Sequence, residues 1–154
     1  MATKNELKTG DNLPNFTALD TNGKSFESQS IIGKQPVVIY FYPKDDTPGC
    51  TAQACSFRDQ YEDFKNLGAE VIGISSDTIE SHQKFAKRYK LPFILLSDSD
   101  KRIRKLFGVP TDLFGLLPGR VTYVIDKNGI VQLVFNSMSS KIHITKALAI
   151  LKKQ

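Results

Sequence analysis

Tryptophan is absent from this 154-residue chain, cysteine occurs twice, and the longest apolar run is the six residues from Val37 to Tyr42. A membrane-spanning helix needs about 18 or more consecutive apolar residues, so none is expected. The first thirty residues contain no apolar stretch of the kind a secretory signal requires. The expectation is an intracellular, soluble protein whose thiols are kept reduced. Repeats, low-complexity tracts and long linkers are missing too, which predicts a single domain over residues 1–154. No Gly-Lys phosphate loop, finger spacing or aromatic-interleaved basic motif is present. The net charge of +5 and pI of about 9.2 therefore permit nucleic-acid contact without requiring it. Lys84, Lys87, Arg88 and Lys90 form one basic cluster, and Lys101, Arg102, Arg104 and Lys105 another. Both are expected to be solvated helix faces.

What remains is ordinary globular material, 40% hydrophobic and 24% charged. A chain of this length buries roughly 70% of its unfolded surface without a disulfide or metal staple. The two cysteines need another explanation.

Hydrophobic patterning outlines the elements. Val37 to Tyr42, β-branched and aromatic throughout, predicts a strand buried on both faces and ended by Pro43. Ala54, Phe57, Tyr61, Phe64 and Leu67 then recur at helical spacing, predicting one helix of about four to five turns closed by Gly68. Glu70 to Ser75 is a second strand, and Asp77 with Glu80 resembles a capping box for a helix ending at Tyr89. Phe93 to Leu96 suggests another strand, and Asp100 is placed to cap a short basic helix ending at Phe107. Asn128-Gly129 predicts a hairpin joining Val121–Asp126 to Ile130–Phe135, and residues 141–152 read as a terminal helix. A βαβ unit joined to a ββα unit gives an α/β protein of thioredoxin-like fold, with a central mixed sheet and helices on both faces.

In that arrangement Cys50 falls where a central strand passes into a helix. Free N–H groups and the helix dipole there favour a thiolate. Pro48 suits the first helical turn because it lacks an N–H that would have no partner. By burial statistics alone Cys50 would be a small inert hydrophobe. The Pro43-x-x-x-Thr47-x-x-Cys50 context points instead to a nucleophile, with the Thr47 hydroxyl within reach of whatever the sulfur attacks. Cys55 lies five residues on, roughly 8.6 Å away between Cα atoms in an intact helix. A disulfide tolerates about 7 Å, so pairing requires the helix start to unwind. Cys55 as an unrelated helix-face thiol is the alternative.

The run from Phe41 to Asp59, FYPKDDTPGCTAQACSFRD, resembles the active-site segment of the peroxiredoxins, and within them the peroxiredoxin Q or bacterioferritin comigratory protein group. The likeness continues through Val71–Ser75, Leu95–Asp98 and Gly119–Asp126, and Asp112–Arg120 is similar to the plastid and cyanobacterial branch. The resemblance implies an antioxidant thiol peroxidase for hydrogen peroxide and organic hydroperoxides. Cys50 would be oxidised to a sulfenic acid, Cys55 would resolve it as an intramolecular disulfide, and thioredoxin or a related dithiol would recycle it. It further implies that Arg120 favours the thiolate and polarises the peroxide, and that Pro43 shields the sulfur from water. Arg58 and Asp59 are assigned to helix support. No cofactor, metal, nucleic acid or membrane is implied. With no cysteine after residue 55, the intersubunit disulfide of the dimeric two-cysteine branch is impossible, and a monomer is expected. The compartment would be the cytoplasm for a bacterial or cyanobacterial chain, and the plastid stroma or lumen for a processed plant or algal one.

Three other readings stand beside this one. A general dithiol–disulfide oxidoreductase would share the fold but normally carries Cys-x-x-Cys. A metal-binding module would combine the cysteines with His82 or His143, which lack finger spacing and are expected on helix surfaces. Nucleic-acid binding would use the basic helices. Leu113, Phe114, Leu116 and Leu117, within the Gly108–Gly119 stretch, fit a substrate entrance, a contact surface or a packed loop equally well.

Overall fold

A computed structural model describes residues 6–112, 117–137 and 139–153. Its centre is a seven-stranded mixed sheet in the order β2-β1-β5-β4-β3-β8-β9. The strands are β1 (Thr17–Asp20), β2 (Ser25–Glu27), β3 (Val37–Phe41), β4 (Glu70–Ser75), β5 (Ile94–Ser97), β8 (Val121–Ile125) and β9 (Val131–Asn136). A separate two-stranded ribbon pairs β6 (Thr111–Asp112) with β7 (Leu117–Pro118). The helices are α1 (Pro48–Asp59), α2 (Tyr61–Asn66), α3 (Ile79–Tyr89), α4 (Arg102–Phe107) and α5 (Ser140–Lys152).

β3 lies between β4, with which it runs parallel, and β8, with which it runs antiparallel. It is fully buried, because its side chains feed two separate cores. Val37, Ile39 and Phe41 pack with Phe16, Ile103 and Phe107 on one face. Val38, Tyr40 and Tyr42 pack with Phe57, Phe64, Phe85 and Ile144 on the other. One face is thus covered by α4 and the N-terminal segment, the other by α1, α2, α3 and α5. This is the expected α/β arrangement, with helices on both faces but unevenly shared.

Several local expectations change. The helix after Cys50 is two helices, broken at Gln60, whose φ of −108° and ψ of 14° leave the helical region. α3 is capped by Thr78, whose side chain accepts from the Ser81 N–H. Asp77 turns instead toward the loop before Cys50, accepting from the Asp45 N–H at 2.8 Å. Asp98 takes over most of the role expected of Asp100: it accepts from the N–H groups of Ile103 and Arg104, while Asp100 accepts only from Arg102. Arg104 is buried at 6% exposure, unlike its basic neighbours. His82 and His143 are also wholly buried rather than on helix surfaces. Short, polar β1 and β2 carried no periodic signal. Leu113, Phe114 and Leu116 lie outside the described residues, as does the Leu117 side chain.

Candidate active site

β3 delivers the chain through Tyr42 and Pro43 into a loop, and Thr47 then opens α1 as its N-cap in extended conformation. Pro48 occupies the first turn, as its missing N–H predicts. Cys50 follows on the buried face with Gln53, Ala54 and Phe57, the side of α1 that packs onto the sheet. Arg120 immediately precedes β8, the antiparallel neighbour of β3, so the sheet brings it beneath the start of α1.

The contact that organises the site is between these two elements. Arg120 Nη2 donates to Cys50 Sγ at 3.4 Å, and Nη1 donates to Gln53 Oε1. All three side chains are buried. Gly49 makes the approach possible, since a Cβ there would stand 3.0 Å from Arg120 Nη2. Gln53 was missed at the level of sequence. Its signal was a long polar side chain on the apolar face of α1, three residues after Cys50, where burial demands a partner.

Gln53 Nε2, Arg120 Nε and the Tyr40 hydroxyl are buried without a protein partner among the described residues. Burial, with Cys50 and Asp45 nearby, pushes the Tyr40 hydroxyl well above its ordinary range, so it remains neutral. Thr47 Oγ1 donates to the Lys44 carbonyl at 2.8 Å. Pro43 is half-buried at the strand end. Cys55 is free and partly exposed on α1, one and a half turns beyond the free Cys50.

A polar cluster holds the preceding loop. Asp45 accepts from Tyr42 Oη at 2.6 Å, Ser81 Oγ at 2.8 Å and His82 Nδ1 at 2.7 Å. His82 Nε2 faces the Leu96 carbonyl at 3.0 Å. Both ring nitrogens thus lie within hydrogen-bond distance of an oxygen from a neighbouring element. Asp45, Asp77 and His82 are the one group of three potential metal ligands found together among the described residues, and it includes neither cysteine. Their facing atoms are engaged in the hydrogen bonds above.

A family model described as AhpC/TSA matches residues 9–134. The chain belongs to the AhpC/TSA family. Among its relatives, the chloroplastic peroxiredoxin Q of Sedum lineare is 58% identical over 96% of this chain and 79% of that protein. The chloroplastic peroxiredoxin Q of Arabidopsis thaliana is 56% identical over 96% of this chain and 68% of that protein. Among solved structures, the peroxidoxin BcpB of Mycobacterium tuberculosis superimposes with a TM-score of 0.88 at 38% identity, covering 96% of this chain and 98% of that one. The peroxiredoxin Q of Xanthomonas campestris gives 0.83 at 29% identity, covering 90% of each. This AhpC/TSA member is a peroxiredoxin of the Q group with a thioredoxin-like fold, and hence a thiol peroxidase. The general dithiol–disulfide oxidoreductase is not favoured.

Proposed function

We propose that peroxide reduction runs through Cys50 and is resolved by Cys55. The Cys50 thiolate attacks the distal oxygen of a hydroperoxide, an S–O bond forms as the O–O bond breaks, and the departing oxygen leaves as water or an alcohol after protonation. The Cys55 thiol then displaces water from the sulfenic acid, leaving a Cys50–Cys55 disulfide. An external dithiol, of the thioredoxin class, returns both sulfurs to thiols through a mixed disulfide and is itself oxidised.

The single observation that carries this reading is Arg120 Nη2 at 3.4 Å from Cys50 Sγ, both side chains buried at the start of a helix. The guanidinium has further donor capacity for the developing oxyanion. Thr47 commits its hydroxyl proton to the Lys44 carbonyl, which leaves its oxygen free to accept the hydroperoxide O–H. Pro43 contributes an apolar lip with no N–H to compete for the substrate. A Xanthomonas campestris bacterioferritin comigratory protein of the same fold is described by its alkyl peroxide reduction activity, which supports organic hydroperoxides as substrates beside hydrogen peroxide.

The active unit in this reading is a monomer whose single domain spans residues 1–154, and it works without metal or cofactor. Nucleic acid and membrane take no part. The chloroplastic relatives support a plastid location for a plant or algal chain; the compartment would be the stroma or lumen there, and the cytoplasm for a bacterial or cyanobacterial chain. The test is hydroperoxide turnover with thioredoxin as reductant. Cys50→Ser should abolish it, whereas Cys55→Ser should be oxidised once and accumulate sulfenic and higher acids at Cys50, seen by mass spectrometry. Turnover retained in Cys50→Ser, or an unmodified Cys50 in peroxide-treated Cys55→Ser, would overturn the assignment.

A further inference from the structure

Arg120 is not the only arginine buried at this end of the sheet. Arg104 stands on α4, on the opposite face of the sheet from α1, with its guanidinium centred 5.5 Å from the Phe41 ring. Arg104 Nη2 donates to the Tyr42 carbonyl at 3.1 Å, and Nη1 donates to the Gly119 carbonyl at 3.2 Å. Those two carbonyls belong to the residues immediately before Pro43 and Arg120. One planar fork therefore joins the two backbone segments that supply opposite sides of the cysteine site.

Each end of this bridge is itself fixed. Asp98 accepts from the N–H groups of Ile103 and Arg104, at 2.9 and 2.8 Å, and so holds the start of α4 in place. On the other side, a Cβ at Gly119 would land on the Pro110 carbonyl oxygen, so only glycine lets this segment settle against Pro110. Burial lowers the Arg104 guanidinium from its ordinary range, with Asp98 opposing that effect, but arginine stays charged in proteins. Among the described residues this buried cation serves two carbonyls and no directly bonded carboxylate, an arrangement expensive to keep. Its geometry gives a reason for keeping it.

We propose that Arg104 is a positioning residue for the peroxidase site, setting the distance between the Pro43 lip and the Arg120 guanidinium by bridging the Tyr42 and Gly119 carbonyls. The inference rests on the assignment of Cys50 and Arg120 above. A lysine at 104 would keep the charge but lose the planar fork, whereas methionine would keep only the length. Loss of register at the reacting centre by about 1 Å costs on the order of 100-fold in rate.

The experiment compares wild type, Arg104→Lys and Arg104→Met in two second-order reactions of Cys50, one with hydrogen peroxide and one with iodoacetamide, at matched folded fraction. Peroxide reduction needs Arg120 aligned with the oxygen being displaced; alkylation by a neutral reagent needs only the thiolate. The expected result is a 10- to 100-fold loss of the peroxide rate with alkylation changed less than about threefold. Where Arg104→Met does not fold, Arg104→Lys decides alone. Peroxide rates within about twofold of wild type would overturn the proposal, as would equal losses in both reactions or failure of both variants to fold. Each of these would leave Arg104 a purely structural residue. Absence of peroxide turnover in the wild type would instead contradict the Cys50 assignment, and the proposal with it.

Discussion

The chain on the two sides of Thr47 is held in opposite ways. Before it, residues 42–46 are tied to α3 and its approach by polar bonds: Asp45 to Tyr42, Ser81, His82 and Asp77, and Asp46 to Arg88 and Tyr89. Asp46 even sits at a φ of 63°, a left-handed conformation that aspartate tolerates when its surroundings enforce it. After it, α1 rests largely on apolar contacts, with Arg120 bonded to Cys50 and Gln53 and, at the far end of the helix, Arg58 Nη1 donating to the Tyr89 carbonyl at 2.8 Å. Hydrogen bonds to carboxylates fix one side, while packing, with a few arginine bonds, holds the other. The fixed side carries Pro43 and Thr47, which in the proposed mechanism stay in register with the substrate. The other carries Cys50 and Cys55, which cannot join while α1 is intact, since roughly 8.6 Å separates their Cα atoms in a regular helix and a disulfide spans about 7 Å at most.

The strongest way to sharpen this contrast is to remove the cation beside Cys50 on the packed side. Arg120→Met keeps side-chain length and is expected to lower the second-order rate with hydrogen peroxide by about 100-fold or more while the protein still folds. Stopped-flow consumption of peroxide measures it, and a near-unchanged rate would place Arg120 outside the chemistry. On the fixed side, Asp45→Asn replaces with an amide the carboxylate that accepts from Tyr42, Ser81 and His82, leaving buried polar groups unpaired, which should cost about 1–3 kcal/mol of stability in urea unfolding. An unaltered midpoint would mean that the loop is not held by these hydrogen bonds, and the contrast would fail.

His143 provides a smaller test, because it is the buried histidine on the α5 side and its bonding differs from that of His82. Thr122 Oγ1 donates to its Nδ1 and its Nε2 donates to the Ser137 carbonyl, both at 2.7 Å, which fits a neutral ring. Burial lowers its pKa to about 4. Between about pH 6.5 and 4 the unfolded chain binds the proton that the folded one refuses, so stability is highest above this window and falls as pH drops through it. The share due to His143 is roughly 3 kcal/mol at most. Unfolding curves at pH 7 and 4.5 should show a smaller loss in His143→Gln than in wild type; parallel losses would contradict a neutral buried ring.

How far the sequence could be read follows the range of the interactions. β3, the Asn128-Gly129 hairpin and α5 depend on neighbouring residues and could be read directly. The break at Gln60 could not, because the apolar spacing runs through it without interruption. The strand-to-helix junction and the spacing to Thr47 pointed to Cys50, resemblance alone pointed to Arg120, and α1 and the segment before β8 carry these two into contact. Gln53, His82 and Arg104 were not legible. Each is a polar side chain on an apolar stripe, and its partner lies 14 or more residues away. Such a position announces burial without naming what satisfies it.

The central claim is that α1 opens at its start so that Cys55 can reach Cys50, while the loop before it stays clasped. Amide hydrogen exchange read by mass spectrometry, on reduced protein and on protein oxidised by one equivalent of hydrogen peroxide, tests it most directly. Exchange should quicken between Thr47 and Arg58 only after oxidation, with residues 42–46 and α3 unchanged, and Cys55→Ser treated in the same way should keep its protection. Equal protection of residues 47–58 in both redox states would contradict the account.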